Sequence, residues 1–276
     1  MSNSTSIVPA SVPPDGVTPD FDNLEDVYYT GNLVNLAVCA GLINVVFLMH
    51  AYVKLVVRRA RLLHEDWFCI AAWVFVNGFY AMNFGMSHFG EGRNIWQLSL
   101  GDYQGLLKFM YISTTLYTPA AFCTKVTLLL LISRVFSVHR IVSKLIHLFI
   151  VLILLAYLPI AFLKIFICRP ITAYWDNFET TDGGAVTGGN SNCRGQATLF
   201  MGDISISIIT DVLILILPIV MSWRMEATWR QKLKIMVLLG AGGAATVTTV
   251  VRAYFNVQFM HTTNASKDFA LSSITS

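Results

Sequence analysis

The chain has 276 residues, 55% of them hydrophobic and only 13% charged, with a formal net charge of +3. An average soluble domain carries about 25% charged residues, so this composition, with a mean hydropathy of +0.61, excludes an ordinary soluble globular domain. The net charge says little by itself, and its placement along the chain says much more.

Residues 1–32 are polar, with Pro9, Pro13, Pro14 and Pro19 and five acids between Asp15 and Asp26. The segment has no basic stretch followed by an apolar one, so it does not read as a cleavable signal peptide. It reads as a disordered extracellular tail, with a glycosylation sequon at Asn3-Ser4-Thr5.

Six apolar blocks follow, at about 33–57, 67–88, 106–133, 145–167, 199–223 and 235–260. Each is long enough to cross a hydrocarbon core of about 30 Å. Only helices and closed barrels satisfy their backbone in lipid, and these blocks lack the alternation of barrel strands. The expected fold is all-α, a polytopic transmembrane helix bundle over 33–262 with a polar extracellular stub at 263–276.

Lys and Arg set the orientation. The first 53 residues contain neither. Eleven of the nineteen fall in the connections after blocks one, three and five, among them Lys54, Arg134 and Lys234. This predicts an outside N-terminus, cytosolic basic loops and a multi-pass location in the plasma membrane.

Lys125, Asp203, Asp211 and Arg252 lie inside the blocks. A charge near the bilayer centre costs about 2.5–3.5 kcal/mol, so each needs a partner or a wet cavity. At about 1.5 Å per residue, depth pairs Lys125 with Asp211 and Arg252 with Asp203. Such pairs either pin the helices together or sense a ligand or ion. Asp66 and Trp67 open block two, Asp as a helix N-terminal cap and Trp as an interfacial anchor. His88 closes that block, where it is either simply polar or placed to meet a ligand.

Cys168 and Cys193 flank an outside loop containing two Gly-Gly pairs. An oxidising compartment favours a disulfide there. Pro119, Pro159 and Pro218 interrupt blocks three, four and five. The run 240–245 (GAGGAA) offers a small-residue face for close helix packing. No catalytic constellation, metal-ligand spacing or nucleotide loop is present, so no enzyme activity, metal or cofactor is expected. The lipid bilayer is the expected partner, with no nucleic acid.

Taken in order, Glu65-Asp66-Trp67, Gly85-x-x-His88, Lys125-x-Thr127, Arg134-x-Phe136, Cys168-Arg169-Pro170, Trp175, Cys193, Thr210-Asp211, Leu217-Pro218 and Arg252 resemble the fungal rhodopsin-domain membrane proteins. That family includes the satratoxin-cluster membrane protein and the seven-helix part of fungal pathogenicity receptors. Ser87, Thr127 and Ile132 stand where the family usually has Gly, Ser and Tyr. The resemblance implies a seven-helix bundle without implying a chromophore. No seventh apolar block follows the sixth, so the chain reads as truncated before that helix, with a six-span variant as the alternative. The resemblance implies a receptor-like protein that meets an extracellular ligand and signals to a cytosolic partner. The competing readings are a transporter or channel-like protein that uses the buried charges, and a non-catalytic accessory of a biosynthetic cluster.

Overall fold

The computed structural model describes Ala10, residues 29–57, 63–135, 140–176, 178–180 and 186–188, Cys193, residues 196–223, and scattered positions between 240 and 251. Most of the sixth apolar block, Arg252 and the stub 263–276 lie outside the described residues.

Helix α1 spans Tyr29–Tyr52 and runs on through a π-helical turn, Val53–Val57. Helix α2 spans His64–His88, α3 Leu100–Val135 and α4 Arg140–Ile165. After a short helix α5, Ala173–Asp176, strands β1 (Phe178–Thr180) and β2 (Val186–Gly188) pair antiparallel with Phe178 opposite Gly188. Helix α6 spans Gln196–Trp223. The fold is an all-α polytopic bundle, with strand structure confined to one loop among the described residues. Among these residues, five helices are long and apolar enough to cross a membrane: Tyr29–Val57, His64–His88, Leu100–Arg134, Ser143–Ile165 and Thr198–Leu217.

Local chemistry explains why the helices outrun their apolar blocks. At the start of α3, Ser99 Oγ accepts the Asp102 N–H at 3.2 Å and donates to Asp102 Oδ2 at 2.7 Å. This reciprocal arrangement occupies groups that a helix N-terminus leaves unpaired, so α3 begins at Leu100 rather than near 106. Asp66 does not sit at the cap of α2. It lies one turn inside and reaches back to accept the Leu63 N–H at 2.6 Å. Trp67, 63% exposed, points outward as an interfacial anchor does.

Successive long helices run antiparallel. Asn44 of α1 meets Asn77 of α2, Asn83 of α2 meets Ser113 of α3, and Tyr111 of α3 meets the backbone at Ile165 of α4. The bundle therefore has a first face, carrying the start of α1, and an opposite face, carrying its end. Helices α2 and α3 pack closely where glycine leaves room for an aromatic ring. A Cβ on Gly85 would stand 2.5 Å from the Phe109 ring, and one on Gly105 would stand 2.6 Å from Phe89.

The apolar core joins α3, α4 and α6 through Leu129, Ile132, Ile146, Ile153, Tyr157 and Ile214. Elsewhere the large apolar side chains face outward: Leu42, Val46 and Met49 on α1 and Leu155 on α4 are each at least 60% exposed. A soluble helix buries its apolar stripe. This inverted distribution is that of helices whose solvent is lipid.

Candidate functional site

Two ion pairs lie buried between α3, α4 and α6. The residues sit at helical spacing on each element: Thr118 and Lys125 on α3, Tyr157 and Lys164 on α4, and Asp203, Ser207, Thr210 and Asp211 on α6. A step of seven residues makes nearly two full turns, so each set shares one side of its helix and spans about 10 Å along it. Because α4 runs against the other two helices, its later residue meets the earlier residues of α3 and α6. The outcome is two stacked polar layers.

In the layer nearer the middle, Lys125 Nζ lies 2.8 Å from Asp211 Oδ1. It also donates to the Thr210 hydroxyl at 2.6 Å, the Ser207 carbonyl at 2.9 Å and the Ser207 hydroxyl at 3.1 Å. The ammonium stands 5.4 Å from the centre of the Tyr157 ring, within the range of a cation–π contact. Asp211 accepts a further, longer bond from Thr249 at 3.4 Å. Depth along the helices predicts this pairing, and the structure brings the two residues together.

In the layer nearer the first face, Asp203 Oδ2 meets Lys164 Nζ at 2.7 Å; Arg252, the partner expected for Asp203, lies outside the described residues. Lys164 also donates to Thr118 Oγ1 at 3.0 Å and stands 5.8 Å from the Tyr117 ring. Its side chain is 8% exposed and that of Asp203 is 5%. Lys164 was not counted among the charges inside the blocks, although it falls within the block 145–167, one residue from the end of α4, where a buried lysine needs an acid.

Two polar atoms in this core have no hydrogen-bond partner among the described residues: Asp203 Oδ1 and the Tyr157 hydroxyl. The set contains two protonated amines, each already held by an acid and hydroxyls. It can therefore hold three helices in one arrangement, or release them when a charge is neutralised or displaced. No cluster of three or more metal-ligating side chains occurs among the described residues.

The landmarks at the opposite face form a second ionic group. Lys54, at the end of α1, pairs with Asp66 and lies 3.8 Å from Glu65. Glu65 in turn pairs with Arg134 at the end of α3. Arg134 is thereby joined to the start of α2, a link that sequence reasoning missed because the partners are 69 residues apart. Between the two ends, α1 and α2 are tied by Asn44, which bonds Asn77 at 2.9 Å and the Trp73 indole at 3.0 Å.

At the first face, Cys168 and Cys193 form a disulfide. Pro170 lies in the turn that leads to α5, its carbonyl accepting the Ala173 N–H at 3.1 Å. Trp175 packs against Tyr111, with Lys108 5.9 Å from its ring. His88 is exposed and rests edge-on against Phe89, away from both buried pairs. Pro218 lies within α6.

Comparison with known proteins agrees with this architecture. The family model for the fungal rhodopsin domain matches residues 49–276. A "SAT4 family membrane protein" of Emericella nidulans is 32% identical over 182 residues, which is 65% of this chain and 45% of that protein. The chain thus matches a little under half of the relative's length. No solved structure matches. The family match takes in four of the five apolar helices whole, together with both buried ion pairs and the disulfide, and on that basis the chain belongs to the fungal rhodopsin domain family of membrane proteins.

Proposed function

We propose that this protein is a receptor-like member of the family, non-enzymatic, which senses an external ligand without retinal and passes a helix rearrangement to a cytosolic partner. In this reading it sits in the plasma membrane with the first face outside and the basic opposite face in the cytosol. One observation carries the reading. The buried pairs Lys125–Asp211 and Lys164–Asp203 tie α6 to α3 and α4, so a ligand that loads or displaces one charge shifts three helices together. Buried charge pairs of this kind make a bistable element when one arrangement is exchanged for another.

Retinal binding needs a free lysine amine to form a Schiff base. Both buried lysines among the described residues are engaged by carboxylates and hydroxyls, which supports a reading without retinal. A transporter or channel-like role is favoured by a different observation: the unpartnered Asp203 Oδ1 and Tyr157 hydroxyl lie along the stacked layers, as polar groups on a permeation path would.

A fluorophore placed beside Arg134 in the reconstituted protein separates the two readings. The receptor reading expects a fluorescence change on external addition of a member of a small-molecule panel, lost in K125M. Solute or ion flux through the vesicles, with no such change, refutes it in favour of transport.

A further inference from the structure

The end of α2 contains a carboxyl group that neither buried pair uses. Gly90 N–H bonds to the Ser87 carbonyl at 3.1 Å and Glu91 N–H to the Met86 carbonyl at 3.2 Å. With Gly90 in the left-handed region at φ 92°, these two bonds make a Schellman motif, in which Glu91 takes the position just after the glycine. That position ordinarily holds an apolar residue that packs back on the last turn of the helix. Here it holds an acid. Gly92, at φ 88°, turns the chain again immediately after it, and the Glu91 side chain is carried inward until the residue has 0% exposure.

The surroundings of Glu91 are polar but barely charged. From α1 comes Asn32, also 0% exposed, with both amide atoms unpartnered among the described residues. From α2 comes the Ser87 hydroxyl, 2% exposed and already donating to the Asn83 carbonyl at 3.2 Å. His88, the next residue, is exposed and turned against Phe89. In the following loop, the Arg93 guanidinium lies 4.5 Å over the Tyr29 ring, and its buried Nε has no hydrogen-bond partner among the described residues. Neither Glu91 oxygen is hydrogen-bonded or ion-paired among the described residues. Beyond the turn, Ile95 and Leu98 form a small apolar cluster with Ala10, and the Leu98 carbonyl accepts the N–H of Ala10 at 3.0 Å.

A charged carboxylate in this setting has lost its water and, among the described residues, gained only the weak help of the Asn32 amide and Ser87 hydroxyl, with no cation to balance it, a costly arrangement in a protein interior. A protonated carboxyl faces no such penalty. It is close to an apolar side chain in its demands, and it can donate its proton to the Asn32 amide oxygen while accepting from the amide nitrogen.

We propose that Glu91, with Asn32 as its hydrogen-bonding counterpart, is a proton-binding site that joins the start of α1 to the end of α2 at the first face. Loss of the proton places a charge between the two helices that no ion pair among the described residues compensates. The site thereby links the pH of the medium at that face to the seating of α1 on α2. Burial pushes the carboxyl up to about 8, the Asn32 amide and Ser87 hydroxyl drawing it only part of the way back. The site is independent of the receptor reading and holds equally for a transporter.

Infrared difference spectroscopy of the full chain in lipid nanodiscs tests it, comparing wild type with E91Q and N32A. The expected result is a carboxylic-acid carbonyl band at neutral pH that is missing in E91Q and shifted in frequency in N32A. Across about one pH unit either side of 8, the wild-type band falls roughly tenfold. Absence of any band lost in E91Q at neutral pH means that Glu91 is already ionised and overturns the proposal. Glutamine is the neutral counterpart of the protonated acid, so failure of E91Q to fold overturns it as well.

Discussion

Removing one member of the Lys164–Asp203 pair gives the sharpest test of the buried core. K164M leaves Asp203 with a side chain 5% exposed, one oxygen already unpartnered and the other stripped of its ammonium. Breaking a buried pair from one side costs about 3–5 kcal/mol, because the remaining charge has neither water nor counterion. K125M strands Asp211, but that carboxylate is 19% exposed and keeps its bond from Thr249. Its cost belongs at the lower end of the same range. The double change K164M/D203L removes both charges and leaves an apolar contact, and such replacements are often neutral or stabilising relative to the pair. Thermal unfolding of the purified variants in a single detergent gives the four corners of the cycle. The expected order of midpoints places K164M lowest, K125M above it, and K164M/D203L well above either K164M or D203L alone, with a coupling above about 1.5 kcal/mol. Additive single changes, to within about 0.5 kcal/mol, would show that Lys164 and Asp203 do not stabilise one another and would remove the physical basis of the proposed switch.

The other expectations are independent of that pair. C193S, or reduction of the wild type, opens a loop with a sequence separation of 25. It should cost about 3 kcal/mol by loop-closure reasoning, seen as a lower thermal midpoint that reductant no longer changes in the variant. G85A places a methyl group 2.5 Å from the Phe109 ring, and overpacking of that kind costs about 1–3 kcal/mol. F109A in the same background should restore part of the loss, measured by the same melting assay. Glu91 also predicts a pH dependence of stability. Its folded carboxyl is raised from 4.5 to about 8, so the folded state holds the proton more tightly than the unfolded chain. The contribution of Glu91 is then fully present below about 4.5, falls as pH rises and is gone above about 8. At 1.36 kcal/mol per unit the range is on the order of 5 kcal/mol, and E91Q should flatten the melting profile between about pH 4.5 and 8.

Much of the molecule was legible before any coordinates. Long apolar blocks require helices because lipid offers no partner to an exposed amide, and charges inside them require counterions for the same reason. Those two rules sufficed for the bundle and for the meeting of Lys125 with Asp211. Helix ends were less legible, since the Ser99–Asp102 cap carries α3 outward through residues too polar to count as a span. Depth is a single coordinate and did not reveal Lys164 as a partner of Asp203, because the rotation of α4 about its axis decides whether that lysine faces α6. The tie from Arg134 to Glu65 and the inward turn of Glu91 likewise depend on how helices that are distant in sequence are rotated and seated. Sequence by itself determined the class of fold and some of the buried charges, Lys125, Asp203 and Asp211 among them, but neither Lys164 nor Glu91. Tertiary packing alone decided which charges meet and which acid is left without a partner, because hydrophobicity acts on whole segments whereas an ion pair forms only where two particular side chains converge within a few ångströms.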